Sequence, residues 1–191
     1  MLQITDQGVI SHDPARGAFM PVIAPLSDGS LIASQHVGTS LGSADNHIEV
    51  LHSTDNGTTW TNRGSIHGGP PDDGFAYRGP EICEVPDGRL MMTATRFEAH
   101  GDQLFDAETE ALDRPELLTY WSNDGGHDWG QPETVPVDLP RDRYTANGAG
   151  RLLQVRPDRW LYFIETWKPT GWDGPPDQKA ALVVSTDQGR T

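Results

Sequence analysis

The chain has 191 residues, of which 14 are basic and 28 are acidic, and its formal net charge is −14. This charge argues against DNA, RNA and anionic lipid as partners, because binding to phosphates requires clustered Lys and Arg. The sequence has no apolar run approaching the ~18 residues of a membrane span and no secretory leader, so we expect no membrane partner and a cytoplasmic location. Cys83 is the single cysteine, which excludes an internal disulfide framework.

Taken in chain order, the sequence repeats one pattern over residues 1–66, 67–138 and 139–191. Each unit contains an apolar run, an Asp-containing turn and a second apolar run, at residues 21–31, 80–90 and 151–161. The pairs Asp28-Gly29 and Asp87-Gly88, placed between apolar runs, are typical of β-hairpins. Since no segment shows a sustained helical period, the pattern predicts an all-β chain.

The second unit shows the expected strand order most clearly. We predict strands over residues 81–85, 90–96 and 116–122, and a fourth strand near Trp129. Residues 97–115 form a long polar connection between the second and third of these strands. Repeated units of four strands are typical of a β-propeller, in which each unit is one blade.

A second phrase, S-x-D-x-G-x-x-W, closes each unit. It occurs as Ser53, Asp55, Gly57 and Trp60, as Ser122, Asp124, Gly126 and Trp129, and as Ser185, Asp187 and Gly189, where the chain stops one residue before the expected Trp. We interpret the phrase as structural, because the Asp carboxylate and Ser hydroxyl can bind the amides of their own turn and Gly can adopt a left-handed conformation. Three blades do not close a ring, so we expect further C-terminal blades or self-association.

The phrase resembles the Asp-box, or BNR repeat, of the sialidase (neuraminidase) superfamily. The resemblance implies an all-β propeller of sialidase type, in which this chain supplies about three four-stranded blades of a six-bladed ring. It also implies an exo-glycoside hydrolase that acts on a terminal acidic sugar, with a glycan as its partner and with no cofactor. The alternative is a non-catalytic propeller that binds a glycan or a protein.

Alternation of strand direction places candidate site residues on the face opposite to these phrases. That face gathers Phe19, His36 and Asp45 from the first unit, Tyr77, Arg78, Arg96, Glu98 and Asp102 from the second, and Asn147, Glu165, Trp167 and Lys168 from the third.

The sequence Tyr77-Arg78-Gly79-Pro80 resembles the [FY]-R-I-P motif of sialidases, with Gly79 in place of the isoleucine. The resemblance implies that Arg78 grips a substrate carboxylate, beside Tyr77, and that Arg96 from the next strand points at the same place. The alternative for Arg78 is an ion pair with Glu81.

Carboxylates and aromatic rings complete the predicted site. The resemblance implies a loop aspartate as acid/base, for which Asp102 is our candidate, with Asp106, Asp113 and Asp45 as competitors. Glu165 ends an apolar strand and is predicted to bind sugar hydroxyls or to pair with an arginine, and Trp167 to stack on a sugar ring or to pack. The nucleophile is expected beyond residue 191, so we expect residues 1–191 alone to be inactive. The histidines show no spacing suited to zinc.

Overall fold

The computed structural model describes residues 7–66, 74–98, 104–112, 115–148, 150–175 and 177–189. These residues form β-strands joined by turns and loops, without a helix. Within the same ranges, no helical segment has the length and apolarity that crossing a bilayer requires.

The strands form three antiparallel sheets that follow one another along the chain. The first sheet contains β1 (Gly17–Pro25), β2 (Leu31–Gly38), β3 (His47–Ser53) and β4 (Thr61–Ser65). The second contains β5 (Phe75–Glu84), β6 (Leu90–Glu98), β7 (Glu116–Ser122) and β8 (Glu133–Thr134). The third contains β9 (Thr145–Asn147), β10 (Leu152–Arg156), β11 (Arg159–Trp167) and β12 (Ala180–Ser185). Since β9 and β10 both pair with β11, they are two pieces of one interrupted first strand.

The core lies between the sheets, which pack face to face in chain order. Between the first and second sheets the buried residues are Ile32, Ile48, Val50, Tyr77, Ile82, Leu90, Met92, Ala94, Leu118 and Tyr120. Between the second and third they are Val85, Met91, Leu117, Trp160, Tyr162 and Ile164. Successive residues of a strand point to opposite sides of its sheet, so the second sheet contributes side chains to both layers. The prediction of an all-β fold of antiparallel sheets is confirmed, and the number of blades in the ring stays a prediction.

The strand register gives each sheet two distinct ends. The end of the sheets at which β2, β6 and β11 finish is called the loop rim. We call the end with the turns at residues 26–30, 85–89 and 157–158 the hairpin rim. Arg78 pairs with Thr95 near the loop rim, whereas Glu84 pairs with Leu90 beside the hairpin turn. Arg78 therefore lies far from the bends that follow β3 and β7.

The S-x-D-x-G phrases form hydrogen-bonded bends at the hairpin rim. In the second bend, Ser122 Oγ donates to Asp124 Oδ1 at 2.8 Å and accepts from the Gly126 amide at 2.9 Å. The Asp124 carboxylate also accepts from the amides of His127 and Asp128. The same serine-centred contacts recur at Ser53, Asp55 and Gly57, and at Ser185, Asp187 and Gly189.

Local hydrogen bonds also set the charge and packing of the first bend. Bonds from Thr59, first from its hydroxyl and then from its amide, lower the pKa of Asp55 to about 2. Trp60 Nε1 donates to the Gly57 carbonyl at 3.0 Å, and Trp129 of the second bend packs against the core between the first two sheets. The carboxylates of these bends are thus occupied within their own turns.

Candidate functional site

The first strand of each sheet is interrupted at an equivalent position close to the loop rim. The register shifts after Phe19 in β1 and after Arg78 in β5, and β9 ends at Asn147 before β10 begins. The residues that follow Phe19 and Arg78, Met20 and Gly79, have positive φ angles of 50° and 58°. A bulge of this kind redirects the neighbouring side chains, so the three interruptions fix the orientation of Phe19, Arg78 and Asn147.

At the interruptions in the second and third sheets, a backbone amide joins the sheet to the preceding one. The Gly79 amide donates to His36 Nδ1 at 3.5 Å, and the Gly148 amide donates to Thr95 Oγ1 at 3.1 Å. A Cβ on Gly79 would lie 3.0 Å from the Gly148 carbonyl oxygen, closer than side chains normally approach. The positive φ and this close backbone approach favour glycine at position 79.

The interruptions bring three register pairs to one region of the loop rim: Phe19 with His36, Arg78 with Thr95, and Asn147 with Glu165. We call these six residues the inner cluster. The first pair is an aromatic stack with ring centres 5.3 Å apart. In the third pair, Asn147 Nδ2 donates to Glu165 Oε1 at 2.5 Å. The first sheet thus contributes two uncharged aromatic rings, the second sheet the cation of Arg78, and the third sheet the anion of Glu165.

Arg78 carries a partly buried charge for which no described residue provides an ion pair. Its Nε atom is buried and has no hydrogen-bond partner in the described ranges. Its guanidinium carbon lies 5.9 Å from the centre of the Phe97 ring. Burial lowers the pKa of Arg78, and the negative charge of Glu165 opposes that shift. Burying a charge without an ion pair is unfavourable, and among the described residues no direct ion pair compensates the burial of this arginine.

Glu81 does not provide the counterion that one interpretation of the sequence assigned to it. Burial raises the pKa of Glu81, and the cation that opposes this shift is Arg151. The acidic group that acts electrostatically on Arg78 is instead Glu165, from the neighbouring sheet. The structure therefore places two predicted site residues, Arg78 and Glu165, in one electrostatic environment.

His36 is fully buried within the inner cluster, with 0% of its surface exposed. Burial, and secondly the positive charge of Arg78, lower its pKa from 6.5 to about 4. His36 is therefore neutral at pH 7, and it presents Nδ1 as an acceptor to the Gly79 amide.

This shift predicts a pH dependence of stability. Below pH 6.5 the unfolded chain protonates His36 while the folded chain does not, so stability falls as the pH decreases toward 4. Between pH 7 and pH 5 this contribution amounts to about 2 kcal/mol. We expect His36→Gln to remove it from the free energy of unfolding measured in urea at the two pH values. His12→Gln, at an exposed position, should retain it, and an unchanged pH dependence in His36→Gln would contradict the assignment.

Tyr77 and Arg96, the other predicted binding residues of the second sheet, have different surroundings from Arg78. Tyr77 is 1% exposed and belongs to the core between the first two sheets. Arg96 Nε donates to Glu116 Oε2 at 2.9 Å, and its guanidinium lies 4.5 Å from the centre of the Phe75 ring. Tyr77 and Arg96 pair with each other in the register, one position away from the pair of Arg78 and Thr95. Alternation therefore puts Arg78 and Arg96 on opposite sides of the sheet, so the two arginines do not converge.

The four aspartates that were candidates for the acid/base differ in their positions. Asp102 and Asp113 lie outside the described residues. Asp45 accepts hydrogen bonds from the Thr39 amide and hydroxyl, and Asp106 accepts from Thr109. Both carboxylates thus order their own loops.

Trp167 connects the third sheet to the loop that follows β6. Its Nε1 donates to the Glu110 carbonyl at 2.8 Å, and its ring lies 5.0 Å from that of Phe105. The described side-chain contacts of Trp167 are therefore with this loop.

Sequence reasoning missed three residues that lie beside the predicted site residues: Thr95, Phe97 and Glu116. Their positions depend on the strand register, which the sequence motifs do not reveal.

The fold is similar to those of several proteins of known structure. A crystal structure of a protein of unknown function from Dyadobacter fermentans DSM 18053 is 19% identical, with a TM-score of 0.68, and the match covers 95% of this chain and 54% of that chain. The GH93 α-L-arabinofuranosidase of Fusarium graminearum, solved with arabinobiose, is 19% identical, with a TM-score of 0.61 and coverages of 89% and 47%. The GH43 endo-arabinanase from Bacillus licheniformis is 15% identical, with a TM-score of 0.58 and coverages of 89% and 52%. No known family and no curated protein matches the sequence.

These similarities establish the class of fold. The arabinofuranosidase and the endo-arabinanase are β-propeller glycosidases, and this chain shares their all-β architecture of antiparallel sheets. The chain spans about half the length of the structures that it matches.

The expected relationship to the sialidase superfamily is wrong. The glycosidases that the structure resembles are an arabinofuranosidase and an arabinanase, and they are not sialidases with Asp-box repeats. The prediction failed because the repeated motif determines only a local bend. Its Ser, Asp and Gly form a bend that satisfies its own polar groups, and such a bend can brace a blade irrespective of the chemistry at the other rim.

Proposed function

We propose that this chain supplies part of the sugar-binding site of a glycoside hydrolase that acts on a terminal acidic sugar. The observation that carries the proposal is the partly buried guanidinium of Arg78 in the inner cluster, for which no described residue provides an ion pair. The resemblance to β-propeller glycosidases supports the class of reaction.

Arginine is well suited to the proposed substrate group. Its planar guanidinium binds a carboxylate through two parallel hydrogen bonds and remains charged at any physiological pH. The net charge of −14 repels an anionic sugar from most of the surface. A partly desolvated cation at the loop rim supplies local attraction that is stronger than an exposed lysine or arginine would give.

Glu165 is the proposed acid/base or hydroxyl-binding group. Its hydrogen bond from Asn147 Nδ2, at 2.5 Å, fixes one carboxylate oxygen and leaves the other for a ligand. Glycoside hydrolysis ordinarily uses two carboxyl groups on either side of the scissile bond. Among the described members of the inner cluster Glu165 is the single carboxylate, and Asp102 remains our candidate for the second.

A non-catalytic glycan-binding propeller is the second candidate function. This function is favoured because Glu165 is the single carboxylate among the described members of the inner cluster. Binding can use Arg78 and Glu165, whereas hydrolysis needs a second carboxyl group. Measurements of turnover separate the two functions, whereas binding measurements test the site that they share.

The proposal is tested by titrating residues 1–191 with a galacturonic acid disaccharide, its methyl ester and arabinobiose in a calorimeter. We expect the free acid to bind roughly tenfold or more tightly than the uncharged ester, because a charge-assisted contact with Arg78 contributes about 1.5–3 kcal/mol. Equal affinity for the acid and the ester would refute the acidic-sugar assignment. Release of reducing sugar from the same substrates by the complete protein would identify a hydrolase, and binding by the complete protein without release would identify a binding module.

A further inference from the structure

The segment of β5 that carries Arg78 is attached to the first sheet on both sides of that residue. The Tyr77 amide donates to the Asn46 carbonyl at 2.9 Å, and the Gly79 amide donates to His36 Nδ1 at 3.5 Å. The backbone before and after Arg78 is therefore held by acceptors of a neighbouring sheet as well as by its own strand pairing.

These attachments lie inside the packed interface between the first and second sheets. A third one follows directly, since Ser34 Oγ donates to the Pro80 carbonyl at 3.4 Å. The three first-sheet residues that take part, Ser34, His36 and Asn46, are each 0% exposed. Both sheets of this interface belong to the described chain, so the environment of the three residues is complete within it.

His36 makes the one attachment of the three that acts on the bulge through a side-chain acceptor. Its ring stacks on Phe19 with an interplanar angle of 26°, which fixes the ring plane. Because Nδ1 accepts the bond from the Gly79 amide, the proton of the neutral ring is on Nε2. Gly79 has a φ of 58° and follows Arg78 in the bulge, and the geometry of a bulge determines where the adjacent side chain points.

We propose that His36 is a positioning residue for the sugar-binding site: by accepting the Gly79 amide, it fixes the bulge that orients the guanidinium of Arg78. This inference rests on the proposed function, and His36 acts on the ligand only through Arg78. A neutral acceptor suits the role, because a carboxylate at this position would pair with Arg78 and occupy the charge that the ligand needs. An arginine that is already ordered binds more tightly, since less conformational freedom is lost on binding.

The first test needs no ligand. It measures the order of the Arg78 Nε–H bond by nuclear magnetic relaxation in the chain labelled with nitrogen-15 arginine. We expect a rigid bond in the unmodified chain and a mobile one in His36→Leu, which fills a similar space without an acceptor. His36→Asn retains an acceptor near the position of Nδ1 and should keep Arg78 ordered. Circular dichroism establishes that each variant is folded, and a rigid Arg78 in His36→Leu would refute the positioning role.

The second test compares the affinities of the galacturonic acid disaccharide and its methyl ester by calorimetric titration. We expect His36→Leu to lower the ratio of acid to ester affinity roughly tenfold, and His36→Asn to restore most of it. Gly79→Ala disturbs the same bulge, so its combination with His36→Leu should lower the ratio no further than the stronger single change. His47→Gln, at another buried histidine of the first sheet, is the matched control and should leave the ratio unchanged.

The outcomes separate this inference from the proposed function. A ratio that His36→Leu leaves unchanged, or single effects that multiply in the double variant, would overturn the role of His36 while Arg78 remains the binding residue. Equal affinity of the unmodified chain for the acid and the ester would refute the proposed function, and with it the role of His36 in binding.

Discussion

Arg78→Met is expected to make the folded chain more stable and, at the same time, to weaken its binding of an acidic sugar. Removal of the guanidinium relieves the desolvation of a charge that has no ion pair among the described residues. Methionine fills a similar volume without a charge, so we expect a gain of about 1 kcal/mol in the free energy of unfolding. Loss of a charge-assisted contact should weaken the sugar roughly 100-fold.

The opposite signs of these two effects distinguish a binding residue from a structural one. Arg96→Met is the informative comparison, because it removes the partly exposed ion pair with Glu116 and should destabilise the fold by up to about 1 kcal/mol. Arg89→Met, at the hairpin rim of the same sheet, should leave sugar binding unchanged. Urea unfolding and calorimetric titration measure both quantities. A destabilised Arg78→Met variant would show that Arg78 is structural, and unchanged affinity would remove it from the site.

Gly126→Ala is expected to destabilise the folded chain strongly. Gly126 has a φ of 90°, where an alanine is strained by about 1–2 kcal/mol. A Cβ there would also lie 3.0 Å from Ile32 Cδ1 and 3.3 Å from Leu90 Cδ1, in the core between the first two sheets. Overpacking of this kind costs a further 1–3 kcal/mol, so we expect a total loss of about 3 kcal/mol.

Gly88→Ala provides the matched control for crowding. Gly88 has a similar φ of 86°, but nothing lies within 4 Å of the position that its Cβ would take. This variant should therefore show the conformational strain alone, about 1 kcal/mol. The difference between the two variants in urea unfolding measures the contact of the second bend with the first sheet. Equal losses would contradict the inferred packing.

The fold was largely accessible from local patterns in the sequence. Apolar runs on either side of Asp-Gly turns predict hairpins, and the structure has turns at Asp28-Gly29 and Asp87-Gly88. Such turns depend on residues close in sequence, because Gly supplies the positive φ and Asp binds the amides that follow. The family resemblance failed for the same reason, since a locally determined bend does not specify what lies at the other end of the strands.

The candidate site was only partly accessible. The motif around Arg78 drew attention to that residue, and strand alternation placed Glu165 at the same rim. The absence of an ion pair between Arg78 and Glu81, and the divergence of Arg78 and Arg96, depend on the register of β5 against β6. A register is decided by the bulge after Arg78 and by packing between sheets, and it cannot be derived from either strand alone.

The sequence by itself determined the strand-and-turn pattern, the repeated bends and the acidic surface, because each follows from neighbouring residues or from composition. Only the tertiary structure decided that Arg78 lies near Glu165 and without an ion pair among the described residues, and that His36 is buried and neutral. These properties depend on the desolvation and charge that residues distant in sequence impose on one another, and such effects exist only after the sheets have packed.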